Sequence, residues 1–198
     1  SIVKPSELKE NLNSAKTWHK LGGGDRTKGS CSSVALAYIG NKAGLDVYDF
    51  RGGASQRMFS SMLNIQKLAK LPNVKATIIS DYNDFKIAKQ LLEKIEDGKE
   101  YYFTAGKHAA IIRKNVSRYE YLEMQSERNN GWHELNDSSL KRRFGCQKRH
   151  TSYGHKLKSS DIMIDIESLQ NSDDFKELLG YINTSIDKQQ RGRGGHER

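Results

Sequence analysis

Two positions in this sequence pair a reactive side chain with a structural reason for its reactivity. Cys31 heads the run Cys31-Ser32-Ser33-Val34-Ala35-Leu36-Ala37-Tyr38-Ile39, and His108 heads His108-Ala109-Ala110-Ile111-Ile112 just after Gly106-Lys107. Ser30 is a good helix N-cap, so Cys31 is expected in the first turn of a helix. There the unpaired N–H groups and the positive end of the helix dipole favour thiolate over thiol, and the thiolate is the stronger nucleophile. The plainer reading makes Cys31 a small buried residue on an Ala-rich helix. A histidine at the mouth of an apolar strand suits a general base on a rigid element; the plainer reading is a sheet-edge residue bonded to backbone.

A third partner follows from hairpin register. If strands 108–113 and 118–125 pair about a turn at Asn115-Val116, Arg113 faces Arg118, Ala110 faces Tyr121 and His108 faces Glu123. Glu123 would then accept a hydrogen bond from one His108 nitrogen, with Gln125 two residues on along the same face. Facing like charges at Arg113 and Arg118 count against this register. Nucleophile, base and orienting carboxylate or amide are the three roles of a Cys-His-Asp/Asn type of site.

The elements that must hold these groups can be read from periodicity. The helix from Cys31 runs to about Ala43, with Val34, Ala35, Tyr38 and Ile39 at helical spacing and Gly44 as its stop. Residues 45–50 alternate as a strand, 55–70 read as a helix that Pro72 ends, and 74–79 as a short strand. The clearest helix spans 84–97, with a stripe of Ile87, Ala88, Leu91, Leu92 and Ile95. Strands follow at 100–105, 108–113 and 118–125, then Ile162, Ile164, Ile166 and Leu169, and a helical spacing at Phe175, Leu178 and Leu179. Helices first and an antiparallel sheet after them predict an α+β fold. The expected organisation is an N-terminal polar segment with a Gly-rich loop over 1–30, a catalytic domain over 31–182 and a disordered basic tail over 183–198.

Composition sets outer bounds. The 198 residues are 35% hydrophobic and 29% charged, and 33 Lys and Arg against 24 Asp and Glu leave a net charge of +9. That length can bury a core without staples, and no apolar run approaches the roughly 20 residues of a membrane span. The basic balance favours acidic partners. Cys31 and Cys146 are too few for a disulfide framework. The chain opens Ser1-Ile2-Val3-Lys4 with no Met and no apolar leader, which suggests a piece of a longer polypeptide. The loop at 21–30 lacks the spacing of a phosphate-binding loop.

Three short islands resemble a known family. Ser30-Cys31-Ser32-Ser33-Val34-Ala35-Leu36-Ala37-Tyr38 with Gly44-Leu45-Asp46-Val47, then Gly106-Lys107-His108-Ala109, then Tyr121-Leu122-Glu123-Met124-Gln125-Ser126 resemble the papain-fold toxin domains of bacterial polymorphic toxins. Those domains often read Asn-Cys with a Val-Ala-Tyr-like helix and Gly-Tyr-Asp-Val, then Gly-His-Ala/Val, then Phe-Ile-Asp-Pro-Gln-Ser. Here Lys107 interrupts Gly-His, Glu123 stands for Asp and Met124 for Pro. The resemblance implies a papain-like fold and a cysteine hydrolase acting as protein glutamine deamidase or peptidase, with Cys31, His108 and Glu123 or Gln125 in the site. It also implies a secreted or translocated bacterial effector acting in a target-cell cytoplasm, a protein substrate, an acidic immunity protein as partner, and no cofactor. The Cys31 N–H is the natural first oxyanion donor, with Trp18, His19 or the Gly-rich loop as candidates for the second.

A competing reading comes from residues 138–160, which hold seven Lys or Arg and no acid, with Phe144 and Tyr153 interleaved. They are a plain solvated face or a phosphate-tracking surface, the latter making the chain a non-catalytic nucleic-acid-binding or phage capsid-associated module. Cys146, His150 and His155, with His133, fall at a spacing unlike a standard zinc finger, and no metal site is expected. Trp132, after Asn130-Gly131, is expected to pack against the sheet.

Overall fold

From Cys31 to Lys42 small and apolar residues recur on every side, so a helix built from this segment has no broad face to give to water. In the computed structural model of the protein, which describes residues 4–10, 12–21, 31–47, 61–126 and 128–182, every residue of this helix from Ser32 to Asn41 is buried. Its polar groups are met inside. Ser32 bonds the Tyr102 hydroxyl at 2.9 Å, Tyr38 donates to Glu100 at 2.6 Å, and Asn41 donates to the carbonyls of Ala37 and Val47 at 2.8 and 2.7 Å. Buried polar groups are tolerated on that condition.

In chain order the elements are β1 (Ser6–Glu7), α1 (Ser14–Leu21), α2 (Cys31–Lys42), β2 (Leu45–Asp46), α3 (Met62–Ala69), β3 (Ala76–Asp81), α4 (Asp84–Leu92), β4 (Glu100–Ala105), β5 (His108–Asn115), β6 (Arg118–Glu123), β7 (Gly131–Glu134), α5 (Asp137–Arg142), β8 (His150–Ser152), β9 (His155–Leu157), β10 (Ser159–Asp165), α6 (Ile166–Gln170) and α7 (Asp173–Ile182). Six strands form one antiparallel sheet in the order β3-β10-β4-β5-β6-β7. The fold is α+β. β10, near the end of the described chain, sits between β3 and β4, an arrangement that local periodicity does not encode.

Alternating side chains divide the interior into two cores. Tyr102, Ala109, Ile111, Leu122, Ile162 and Ile164 face one way and join α2 with Leu21, Phe175 and Leu179. Phe103, Ala110, Ile112, Tyr121 and Met163 face the other way and join the α4 stripe with Leu135, Leu140 and Phe144. The stripe predicted for α4 is buried throughout, and Asn83 caps the helix by accepting from Phe85 and Lys86 N–H. Leu21 and Thr17 of α1 are fully buried, so this helix belongs to the core rather than to a separate polar segment. Of the strand expected over 45–50, residues 48–50 lie outside the described residues, as do 51–60 of the 52–53 turn and the 55–70 helix, Ser30 with the Gly-rich loop, and the 183–198 tail. No helix among the described residues is long and apolar enough to cross a membrane.

The β5–β6 hairpin departs from the predicted register. Asn115 pairs with Arg118 and Ile112 with Tyr121, so the turn is centred on Val116-Ser117 instead of Asn115-Val116. Each facing partner moves by two residues, which keeps every side chain on its expected face. Electrostatics gives the reason. The predicted register sets Arg113 against Arg118, whereas the observed one sets Arg113 against Glu120, with Nε 2.9 Å from the carboxylate. The consequence falls on Val116, a β-branched residue held at φ +60° at the first central position, where glycine is favoured. Val116→Gly is therefore expected to raise stability by about 0.5–1 kcal/mol, read as a higher urea midpoint at unchanged slope. A lower midpoint would contradict this turn.

Candidate active site

Cys31 is the first residue of α2 and His108 the first of β5. Both line a cleft of about 320 Å³ at the end of the sheet, with Ser32, Met62, Thr104 and Lys107 among its other walls. The Ala109 N–H donates to the Cys31 sulfur at 3.3 Å. Among the described residues no hydrogen bond joins this sulfur to the His108 ring. Strand parity explains why. Cys31 packs with the α2-side core, while the His108 ring lies edge-to-face on Phe144 of the opposite core, centroids 5.0 Å apart. The two reach one cleft because each terminates its element at the same end of the sheet.

The turn that carries His108 is docked on the segment after α5. Lys107 N–H donates to the Phe144 carbonyl at 2.7 Å. Gly106 holds φ +57°, and a Cβ there would come within 2.5 Å of the same carbonyl oxygen. Glycine is thus required twice, for its backbone angle and for the close approach. Phe144 is fully buried, so it is a wall behind the histidine and not a stacking residue on a basic face.

Glu123 is buried and bound by Arg143 through both oxygens, Nη2 to Oε2 at 3.0 Å beside a shorter contact from Nε to Oε1. Its Oε2 also accepts the Gln125 main-chain N–H at 3.2 Å. The expected hydrogen bond from His108 is not formed. Counting on from the observed pairs sets Glu123 opposite Ala110, and Arg143, at the C-cap of α5, occupies the carboxylate. Burial alone would push the Glu123 carboxyl up; the guanidinium and the Gln125 N–H outweigh it and hold it below the usual range. His108 is pushed down to about 4, first by burial and then by the Arg143 charge, with Glu123 opposing. Arg143 also lies within electrostatic range of Cys31 and Tyr121. The imidazole is therefore neutral at pH 7, the form that accepts a proton.

Arg143 escaped sequence reasoning because it sits inside a basic run that reads as solvated; Glu123, an acid on an apolar strand, was the available signal for a buried counter-charge. Of the proposed oxyanion donors, His19 is exposed and Trp18 packs against the α2-side core with its ring near Gly131. Trp132 also packs there, under the Arg113 guanidinium at 3.9 Å. Cys146 is buried in the α4-side core and pushed up to about 12 by burial, while His133 stacks on Tyr121. Among the described residues no group of three or more His, Cys, Asp or Glu is disposed to hold a metal. No family model matches the chain, and neither a curated protein nor a solved structure gives a match.

Two outcomes test this electrostatic arrangement. Glu123→Gln leaves Arg143 uncompensated and is expected to lower the His108 pKa further, while Arg143→Gln is expected to raise it, both read by NMR titration. Equal shifts of one sign would contradict the opposed charges. Because the native imidazole resists protonation below its ordinary value of 6.5, the unfolded chain takes the proton first as pH falls. Stability should decline between about pH 6.5 and 4 by roughly 2–3 kcal/mol from this group. His108→Gln should flatten that part of the curve in denaturant unfolding at pH 7, 5 and 4.

Proposed function

We propose that the protein is a cysteine-dependent acyl-transfer enzyme of papain-like fold, a protein glutamine deamidase or peptidase, and the effector or toxin domain of a larger polypeptide. The observation that carries this reading is that Cys31 and His108 line one cleft, each at the end of a rigid element. The imidazole is neutral at pH 7, the protonation state from which a base acts, while its lowered pKa makes it a weaker proton acceptor than a free histidine. Catalytic hydrogen bonds are often long in a resting site and tighten around the substrate. The papain-like resemblance of the three islands, and the effector role in a target-cell cytoplasm that goes with it, belong to the same proposal.

The reaction proceeds in two halves. The Cys31 proton passes to a ring nitrogen of His108 as sulfur bonds the carbonyl carbon, and the π electrons move to oxygen. The Cys31 N–H at the start of α2 is the natural donor to that oxyanion. The oxyanion collapses, the C–N bond breaks, and His108 returns its proton to the departing ammonia or amine, leaving a thioester. Water then attacks the thioester carbon and gives a proton to His108; as the C–S bond breaks, His108 passes that proton to sulfur, which releases the acid and restores thiol and neutral imidazole. Glu123 works through charge, together with Arg143, on the basicity of His108, and Gln125 holds Glu123 by its main-chain N–H.

Thiol reactivity checks the reading directly. Iodoacetamide at pH 6 is expected to label Cys31 and leave buried Cys146 untouched. An activated ester should leave an acyl group on the peptide carrying Cys31. Cys31→Ala should remove amide turnover, and toxicity if present, by about 10³-fold or more with little change in melting temperature. Cys146→Ala should keep the activity while losing some stability from the core. Full turnover by Cys31→Ala would end the proposal.

A further inference from the structure

Between Gln147 and Ser159 the chain leaves the sheet as the β8–β9 ribbon and returns. Both feet of this ribbon are pinned by one carboxylate. Asp84, fully buried at the start of α4, accepts the Gln147 N–H and the Ser159 hydroxyl, each at 2.8 Å, and its own N–H donates to the Gln147 carbonyl at 2.9 Å. The ribbon therefore projects from a fixed base.

That base lies at the cleft end of the sheet. Met163 pairs with Phe103, so counting back sets Asp161 opposite Ala105, the last residue of β4 before the turn that carries His108. The first foot follows the segment on which that turn is docked, since a Cβ on Gly106 would lie 2.9 Å from Cys146 N. Cys31, His108 and the ribbon share one end of the molecule.

Charge at this end is one-sided among the described residues. Lys107, Lys148, Arg149, Lys156 and Lys158 are exposed. The carboxylates nearby are engaged or buried: Glu123 is bound by Arg143, Asp84 holds the ribbon, Asp161 accepts from Thr104, and Asp81 pairs with Lys86. Two aromatic rings accompany the cations. Tyr153 is fully exposed at the ribbon tip, and Tyr82 is 40% exposed with Lys158 Nζ 5.6 Å from its ring.

We propose that the β8–β9 ribbon is the substrate-docking arm of the cleft and that it recruits an acidic polypeptide, the amide to be attacked being flanked by Asp and Glu. This rests on the acyl-transfer reading above. On the acyl-transfer reading the Cys31 thiol attacks a carboxamide carbon, which a polypeptide carries and a nucleic-acid backbone lacks, so the acidic ligand that reading calls for is a protein. Complementary charge raises encounter rates, and exposed Tyr supplies the apolar contact that interfaces favour.

The test separates docking from chemistry. Binding is measured by fluorescence anisotropy with the full chain carrying Cys31→Ala. The probes are a labelled Glu-rich peptide with a central Gln, a Ser/Gly peptide of equal length with the same Gln, and an oligo-dT of equal charge. The acidic peptide is expected to bind about tenfold or more tightly than the neutral one and to weaken steeply with added salt. Lys148→Glu/Arg149→Glu and Lys156→Glu/Lys158→Glu, made separately so that a failure to fold in one leaves the other, should each reduce acidic-peptide binding about tenfold. Tyr153→Ser should weaken it without altering the salt dependence. Iodoacetamide labelling of Cys31 in the unsubstituted protein reports the chemistry independently. Labelling without acidic-peptide binding overturns the docking arm alone; acidic-peptide binding without labelling supports the arm and overturns the nucleophile. Tighter binding of oligo-dT than of the acidic peptide, or no effect of either charge reversal, overturns the proposal.

Discussion

Arg143 grips the Glu123 carboxylate with its guanidinium fork, and in doing so ties strand β6 to the segment that follows α5. That segment continues into Phe144, whose carbonyl holds the Lys107 N–H and whose ring backs His108. The β4–β5 ladder sets the position of His108 on the sheet, and an ion pair between residues twenty apart in sequence braces the wall behind its ring. The pair matters most for Glu123, which without Arg143 would be a buried, uncompensated charge, whereas Arg143 is partly exposed to water. The same pair sets the chemistry, since Glu123 and Arg143 push the imidazole in opposite directions and burial decides the balance.

The second constraint is the burial of α2. A helix wrapped on all sides must satisfy each polar group internally, and Ser32, Tyr38 and Asn41 do so with partners from β4, from Val47 just after β2, and from α1. Gly40 lets α7 approach, since a Cβ there would meet Leu179 and Val47 at 2.9 Å. Such packing leaves α2 little freedom to shift. Its first residue, Cys31, is the point where the buried helix meets the cleft. The arrangement joins rigidity behind the sulfur to access in front of it, as a preorganised site requires.

Net positive charge is distributed unevenly in its uses. Arg113 and Arg143 are drawn into ion pairs with buried Glu120 and Glu123, and Lys99 serves Asp165. The cations of the β8–β9 ribbon stand in water instead. One basic run, residues 138–160, therefore contains two physical kinds of charge, structural at Arg143 and exposed at Lys148, Arg149, Lys156 and Lys158. Composition counts them alike.

Local physics made much of this protein readable. The helix from Cys31, the α4 stripe, β4 to its last residue and the starts of β5 and β6 follow from side-chain period, glycine stops and capping residues, all of which act over a few positions. The prominence of Cys31 and His108 came from the same short-range signals. Their arrival at one cleft did not, because strand order and the packing of α2 are decided by which apolar faces can be buried together. The hairpin register turned on whether Arg113 meets Arg118 or Glu120, a cross-strand charge that outweighed the preference of Asn115 for the turn. Glu123 was singled out as the carboxylate to orient His108, but its actual partner was not legible, since Arg143 is brought to it by α5 closing over the sheet. Contacts between residues adjacent in sequence are set before folding; contacts between distant ones exist only once the whole chain has chosen its pairings.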